Sequence, residues 1–189
     1  MNPAYSDPQL LQWTLEIAKR YNLTTFLETG TYLGWTSKIV SNYFEKVITI
    51  ENNYQYYLEA VKNLKENKNC YLYHGSSYEV MDKILKEGDD KIFFFLDAHW
   101  YEELPLLNEL KIIKDKKIKP IIAIHDFFVP DENGMAKFGF DTYGDQRLDF
   151  EYIKKALIEI YGEKFYIKFN SESTNNSGVI YILPYLKNE

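Results

Sequence analysis

One cysteine, Cys70, stands in 189 residues. A single thiol excludes a disulfide framework, or a thiolate zinc site, within one chain. Nor is there a run of about 20 apolar residues, the length a helix needs to cross a bilayer, and no membrane partner is expected. Cations are in deficit, with 22 Lys and Arg against 28 Asp and Glu and a formal charge of −6. A surface that binds duplex nucleic acid needs clustered cations. The densest basic run, residues 111–119, is broken by isoleucines and Asp115 and reads as the solvated end of a helix. Nucleic acid is therefore not an expected partner. Met1 to Asp7 carries neither the basic nor the apolar region of an export signal. A reducing, cytoplasmic home is the expectation, and the sequons at Asn22 and Asn175 are then chance matches. Low-complexity tracts and short repeats are missing too.

What is present is a rhythm. With 46% hydrophobic and 26% charged residues, the chain suits one domain over residues 1–189. An N-terminal helix fills residues 10–21, opened by Asp7 and Pro8 as cap and first-turn proline. Short apolar strands at 24–27, 47–50, 70–73, 92–96 and 120–124 then alternate with amphipathic helices at 35–44, 54–67, 78–86 and 104–114. Continuous apolar strands between helices predict a parallel sheet covered on both faces. Residues 127–147 break the rhythm and read as a long functional loop rather than a linker. After a helix at 149–161, strands at 164–169 and 179–183 have no helix between them and should pair antiparallel. The expected fold is Rossmann-like α/β: a mostly parallel seven-stranded sheet closed by an antiparallel hairpin, with helices on both faces.

Ligands of such sheets bind beyond the carboxyl ends of the strands. The first end carries Glu28, Gly30, Thr31, Tyr32, Gly34, Thr36 and Ser37. Its glycine spacing, Gly-x-x-x-Gly, is not the Gly-x-Gly-x-x-Gly of dinucleotide sites, and an acid before the turn suits a sulfonium or ammonium better than a pyrophosphate. The second end carries Glu51 and Asn52. Glu51 either accepts from two ribose hydroxyls or caps the next helix. The third end, Gly75, Ser76 and Ser77, either meets an adenine edge or caps a helix. The fourth brings Asp97 and His99, the fifth His125 and Asp126. Two carboxylates facing one cleft repel unless a proton or cation lies between them. Asp97 and Asp126 could hold a divalent ion, magnesium on oxygen ligands alone, or manganese, iron or zinc if histidine joins. The alternative is a capping aspartate and packed histidines.

On these residues the chain resembles class I S-adenosylmethionine-dependent methyltransferases of the catechol O-methyltransferase type and related bacterial metal-dependent O-methyltransferases. Glu28, Gly30, Tyr32, Gly34 and Thr36 follow the family's Glu-x-Gly-x-Tyr-x-Gly-x-Ser/Thr turn. Glu51 falls on its ribose acid, Gly75 to Ser77 on its adenine-side turn, Asp97 on its strand-four acid and Asp126 on its strand-five acid. The match runs from Phe26 to about Asp126. Two departures stand out: Phe127 replaces the asparagine that completes the family's metal site, and Trp100 stands in place of its catalytic lysine. Residues 126–130 and 139–144 also resemble small methyltransferase-like proteins.

The resemblance implies S-adenosylmethionine as cofactor, with Mg2+ or Mn2+ at Asp97 and Asp126, and methyl transfer to a hydroxyl of a small-molecule or sugar acceptor. His99 is the first candidate base and His125 the second. Two other readings remain: a cofactor-binding protein of this fold without transfer, and a metal-dependent hydrolase using Asp97, His99, His125 and Asp126.

Overall fold

A computed structural model describes residues 3–99 and 104–185. Its centre is a seven-stranded sheet with strand order β3-β2-β1-β4-β5-β9-β8. The strands are β1 (Thr25–Thr29), β2 (Lys46–Glu51), β3 (Cys70–His74), β4 (Ile92–Leu96), β5 (Ile121–Ile124), β8 (Phe165–Phe169) and β9 (Ile180–Pro184). The first five run parallel, and β9 is antiparallel to both β5 and β8. The chain builds outward from β1 to β3, then returns to lay β4 on the free side of β1. This reversal is the topological switch point at which open α/β sheets bind ligands.

Helix α1 (Pro8–Arg20) begins at Asp7, whose carboxylate accepts from the amides of Gln9 and Leu10, each at 3.0 Å. Next come α2 (Trp35–Val40), α3 (Tyr54–Leu64), α4 (Ser77–Ile84), α5 (Leu106–Asp115) and α6 (Phe150–Tyr161). Helices α4, α5 and α6 pack side by side. Their apolar faces meet Leu27, Phe94 and Ile122 on one side of the sheet. On the other side, Phe26, Phe93 and Phe95 pack with Tyr5, Leu10 and Val40. Alternate residues of one strand thus enter opposite cores, which is why Ile92–Leu96 contains no polar position.

Helix α2 ends four residues earlier than its apolar spacing suggests. The Ser41 hydroxyl donates to Lys38 O at 2.8 Å and the Asn42 amide to Ile39 O at 3.0 Å, local bonds that compete with continued helix.

Residues 127–147 contain more order than the broken rhythm suggests. They form a small hairpin, β6 (Thr142–Tyr143) against β7 (Gln146–Arg147). Phe127 is buried and stacks with Phe169 at 6.4 Å between ring centroids. Backbone bonds Phe127 N to Gly178 O (2.9 Å), Gly139 N to Asn176 O (2.7 Å) and Asp141 N to Asp126 O (2.8 Å) fasten the segment to the strand ends. Among the described residues, no helix is long and apolar enough to cross a membrane.

Candidate active site

The parallel register sets Glu28 opposite Thr49 on one side and Phe95 on the other. Glu28 is 1% exposed, and one carboxylate oxygen accepts from Ser37 Oγ at 2.5 Å and Thr49 Oγ1 at 2.7 Å. Thr49 also pairs with Thr31 across 2.6 Å. Burial pushes the Glu28 carboxyl up to about 8, against the lowering effect of both hydroxyls. Glu28, Thr31, Thr36 and Ser37 are all buried. They stabilise the turn from beneath, while Tyr32 and Trp35 are exposed. Gly30 and Gly34 both have φ of 80°, in the left-handed region. A Cβ on Gly30 would lie 2.5 Å from Asp97 O, so this glycine lets β1 and β4 end side by side.

Glu51 spans the tips of β1 and β2. One carboxylate oxygen accepts from Tyr32 N and the other from Asn53 N, each at 2.7 Å. Burial raises its carboxyl, opposed by the amide bonds. The cap of α3 is Asn53, which accepts from Gln55 N and Tyr56 N. Glu51 is thereby free of that duty and keeps lone pairs for further donors. Asn52 is exposed, and its carbonyl oxygen lies 3.2 Å from His74 Nε2. At the tip of β3, Gly75 has φ of 145° and its N–H donates to Glu51 O at 3.0 Å. Ser76 sits at the N-cap of α4 without a side-chain cap bond, and Ser77 Oγ is buried near Glu109 without a hydrogen bond of proper geometry among the described residues.

The ends of β4 and β5 meet as the sequence suggests. His125 Nδ1 lies 3.0 Å from Asp97 Oδ1 and 3.3 Å from Asp126 Oδ2. Burial works to lower the His125 imidazole, but Asp97 and Asp126 outweigh it and hold the ring protonated well above its usual range. Burial likewise opposes the charge on Asp126, and His125 holds its carboxyl below the ordinary value. His99 is 46% exposed, with Nε2 at 4.0 Å from Asp126 Oδ2. Donor atoms of Asp97, His99 and Asp126 all lie within 4.8 Å of one another, a set that fits a divalent cation. Trp100 lies outside the described residues.

Three residues of this cleft were not among the sequence candidates. Asp141 Oδ2 approaches His99 Nδ1 to 3.6 Å, and Tyr143 Oη donates to the same oxygen at 3.4 Å. Burial raises the Asp141 carboxyl, and Asp126 adds to the effect. The available signal was an acid inside the one segment already marked as functional. Glu109, 1% exposed on α5, lines the cleft with Asp97, His99 and Asp141. Neither of its carboxylate oxygens makes a hydrogen bond of proper geometry among the described residues. Burial pushes it up to about 7, against the nearby Ser77 and Thr29 hydroxyls. Its signal was an acid on the apolar stripe of Leu106, Leu110 and Ile113. The remaining walls are Leu96, Leu104, Leu106, Ile124 and Leu148.

No protein-family model matches the chain, and no curated protein matches it. Solved structures do. A protein from Staphylococcus aureus assigned as a caffeoyl-CoA O-methyltransferase superposes with a TM-score of 0.61 at 18% identity, over 94% of this chain and 84% of that one. An S-adenosylmethionine-dependent methyltransferase from Aquifex aeolicus gives 0.59 at 16%, over 88% and 87%. A precorrin-6y C5,15-methyltransferase from Geobacter metallireducens GS-15 gives 0.57 at 15%, over 92% and 88%. The chain has the Rossmann-like α/β fold of class I methyltransferases. At these identities the likeness establishes the fold, while the reaction has to be argued from the site.

Proposed function

We propose that the protein is an S-adenosylmethionine-dependent methyltransferase directed at a hydroxyl oxygen of a small-molecule or sugar acceptor. One observation carries the reading. The Glu51 carboxylate, freed from capping α3, stands beside the β1 turn, while the Asp97, His99, His125 and Asp126 cluster begins at the strand next to β1. An acid with lone pairs left for further donors and an acid–base cleft therefore adjoin at the switch point of the sheet.

The cofactor supplies an electrophilic methyl group on a sulfonium. Glu51 would accept from its ribose hydroxyls, with Gly30, Thr31, Tyr32 and Gly34 offering turn backbone and Gly75, Ser76 and Ser77 the base side. Asn52 would flank Glu51. Glu28, Thr36 and Ser37 would act from below, by shaping the turn. Asp97 and Asp126 would hold a magnesium or manganese ion, whose charge lowers the pKa of a coordinated hydroxyl. His99, open to the cleft, would remove the acceptor proton. His125, held protonated by Asp97 and Asp126, would fix those carboxylates in place. The 127–147 segment would cover the acceptor, excluding water from the transfer.

A thermal-shift comparison tests the reading. The demethylated cofactor product at 100 times its dissociation constant should stabilise the fold by about 2.7 kcal/mol, and NAD should not. A shift with NAD and none with the methionine-derived compound would overturn it.

A further inference from the structure

We propose that Asp141, carried by the 127–147 segment, is the positioning residue for His99, so that the base is assembled from two parts of the chain. The inference rests on the reading of His99 as the base. Asp141 Oδ2 is 3.6 Å from His99 Nδ1, while Nε2 turns to the Asp126 side of the cleft at 4.0 Å. An imidazole acting as a base needs one nitrogen protonated and oriented, so that the other presents its lone pair. A carboxylate beside Nδ1 selects that tautomer. Separations of this kind shorten when a reactive complex closes.

Asp141 does not reach this place by chance of side-chain rotation. Its own N–H donates to Asp126 O at 2.8 Å, its carbonyl accepts from Leu148 N at 3.1 Å, and Tyr143 Oη lies at 3.4 Å from the oxygen that faces His99. The backbone of the loop is thus tied to the end of β5, and the carboxylate is presented to the residue after the end of β4. Asp97 and Asp126 are already engaged with His125. That leaves Asp141 as the carboxylate nearest to His99 Nδ1 among the described ion pairs.

The chain has three histidines, His74, His99 and His125, so its imidazole nitrogens can be resolved by long-range proton–nitrogen spectra and His99 assigned from the signal lost in His99→Gln. At a fixed pH where His99 is neutral, the wild type should show His99 with its proton on Nδ1. Asp141→Ala should move the proton to Nε2, the form that unpaired imidazole favours in water, whereas Asp141→Asn, which keeps an acceptor oxygen, should retain much of the Nδ1 form. Asp145→Ala, in the exposed turn of the same hairpin, should leave the spectrum unchanged. Stabilisation by the demethylated cofactor product, equal in wild type and Asp141→Ala, verifies that the variant is folded. A wild-type His99 protonated on Nε2, or an Asp141→Ala spectrum identical to wild type, overturns the assignment. Loss of cofactor-product stabilisation in the wild type itself would instead overturn the methyltransferase reading and leave the Asp141–His99 pairing standing.

Discussion

Glu28→Gln should make the protein more stable at pH 8 than the wild type and change little at pH 4.5. In the folded protein the Glu28 carboxyl is held at about 8, chiefly by burial, against an ordinary value of 4.5. Over that interval the native state keeps a proton that the unfolded chain has lost. Stability contributed by the neutral acid is complete below 4.5 and is lost as pH rises towards 8. Three and a half pH units at about 1.4 kcal/mol each give a loss on the order of 5 kcal/mol. Glutamine has the shape of the neutral acid, and its carbonyl oxygen can accept from Ser37 and Thr49 as Glu28 does now. It cannot ionise. Urea unfolding at half-unit steps from pH 4.5 to 9 should give a difference between variant and wild type that grows to a plateau near pH 8. His125, whose folded value is also raised, weakens both proteins as pH rises and cancels in the difference. Parallel curves would refute the argument, because they would mean that Glu28 is ionised throughout. The same substitution bears on the site: a carboxyl neutral at pH 7 cannot be the charge partner of a sulfonium, so Glu28→Gln should bind S-adenosylmethionine, the sulfonium form, as tightly as wild type.

Two further substitutions separate binding from architecture. Glu51→Gln should weaken binding of the demethylated cofactor product by about tenfold or more in calorimetry, because hydrogen bonds to a charged group contribute about 1.5–3 kcal/mol, while unchanged affinity would reduce Glu51 to a brace for the amides of Tyr32 and Asn53. Gly30→Ala places a Cβ 2.5 Å from Asp97 O at a φ of 80°; it should cost about 2 kcal/mol or more in urea unfolding, and a near-neutral effect would show that the two strand ends separate easily.

The sheet was legible because burial wrote it into the sequence. Ile92–Leu96 is apolar at every position since both faces are covered, and its bounds coincide with the expected strand. The strand expected at 24–27 starts one residue early and stops two short of the end of β1, because Glu28 and Thr29 are polar yet lie inside the sheet. Nothing local announces that Thr49 and Ser37 will arrive to satisfy Glu28; parallel pairing with β2 and the first turn of α2 do that. Asp141 was hidden for a similar reason. It lies 15 residues beyond Asp126, and a single backbone bond to Asp126 O returns it to the cleft.

The strand-tip acids look interchangeable in the sequence, and their surroundings make them different. Glu28 is sealed beneath the first turn among hydroxyls, where the neutral form is favoured, which suits a brace and not a charge. Glu51 is anchored by two amides but retains lone pairs toward the turn, which suits a partner for neutral hydroxyls. Asp97 and Asp126 share one imidazolium at the mouth of the cleft, so negative charge is kept there and held in place. Asp141 brings a further carboxylate from the loop side. Glu109, enclosed by apolar walls and raised to about 7, is the member whose protonation changes near neutrality. On the proposed reading, carboxyl groups of one type would thus support a turn, receive a nucleoside, hold a cation or orient a base, according to how much water and which donors the fold leaves around each. On the same reading, a cleft lined by Asp97, Glu109 and Asp141, with His125 as the cation among its described lining residues, would favour a neutral hydroxyl-bearing acceptor over an anionic one.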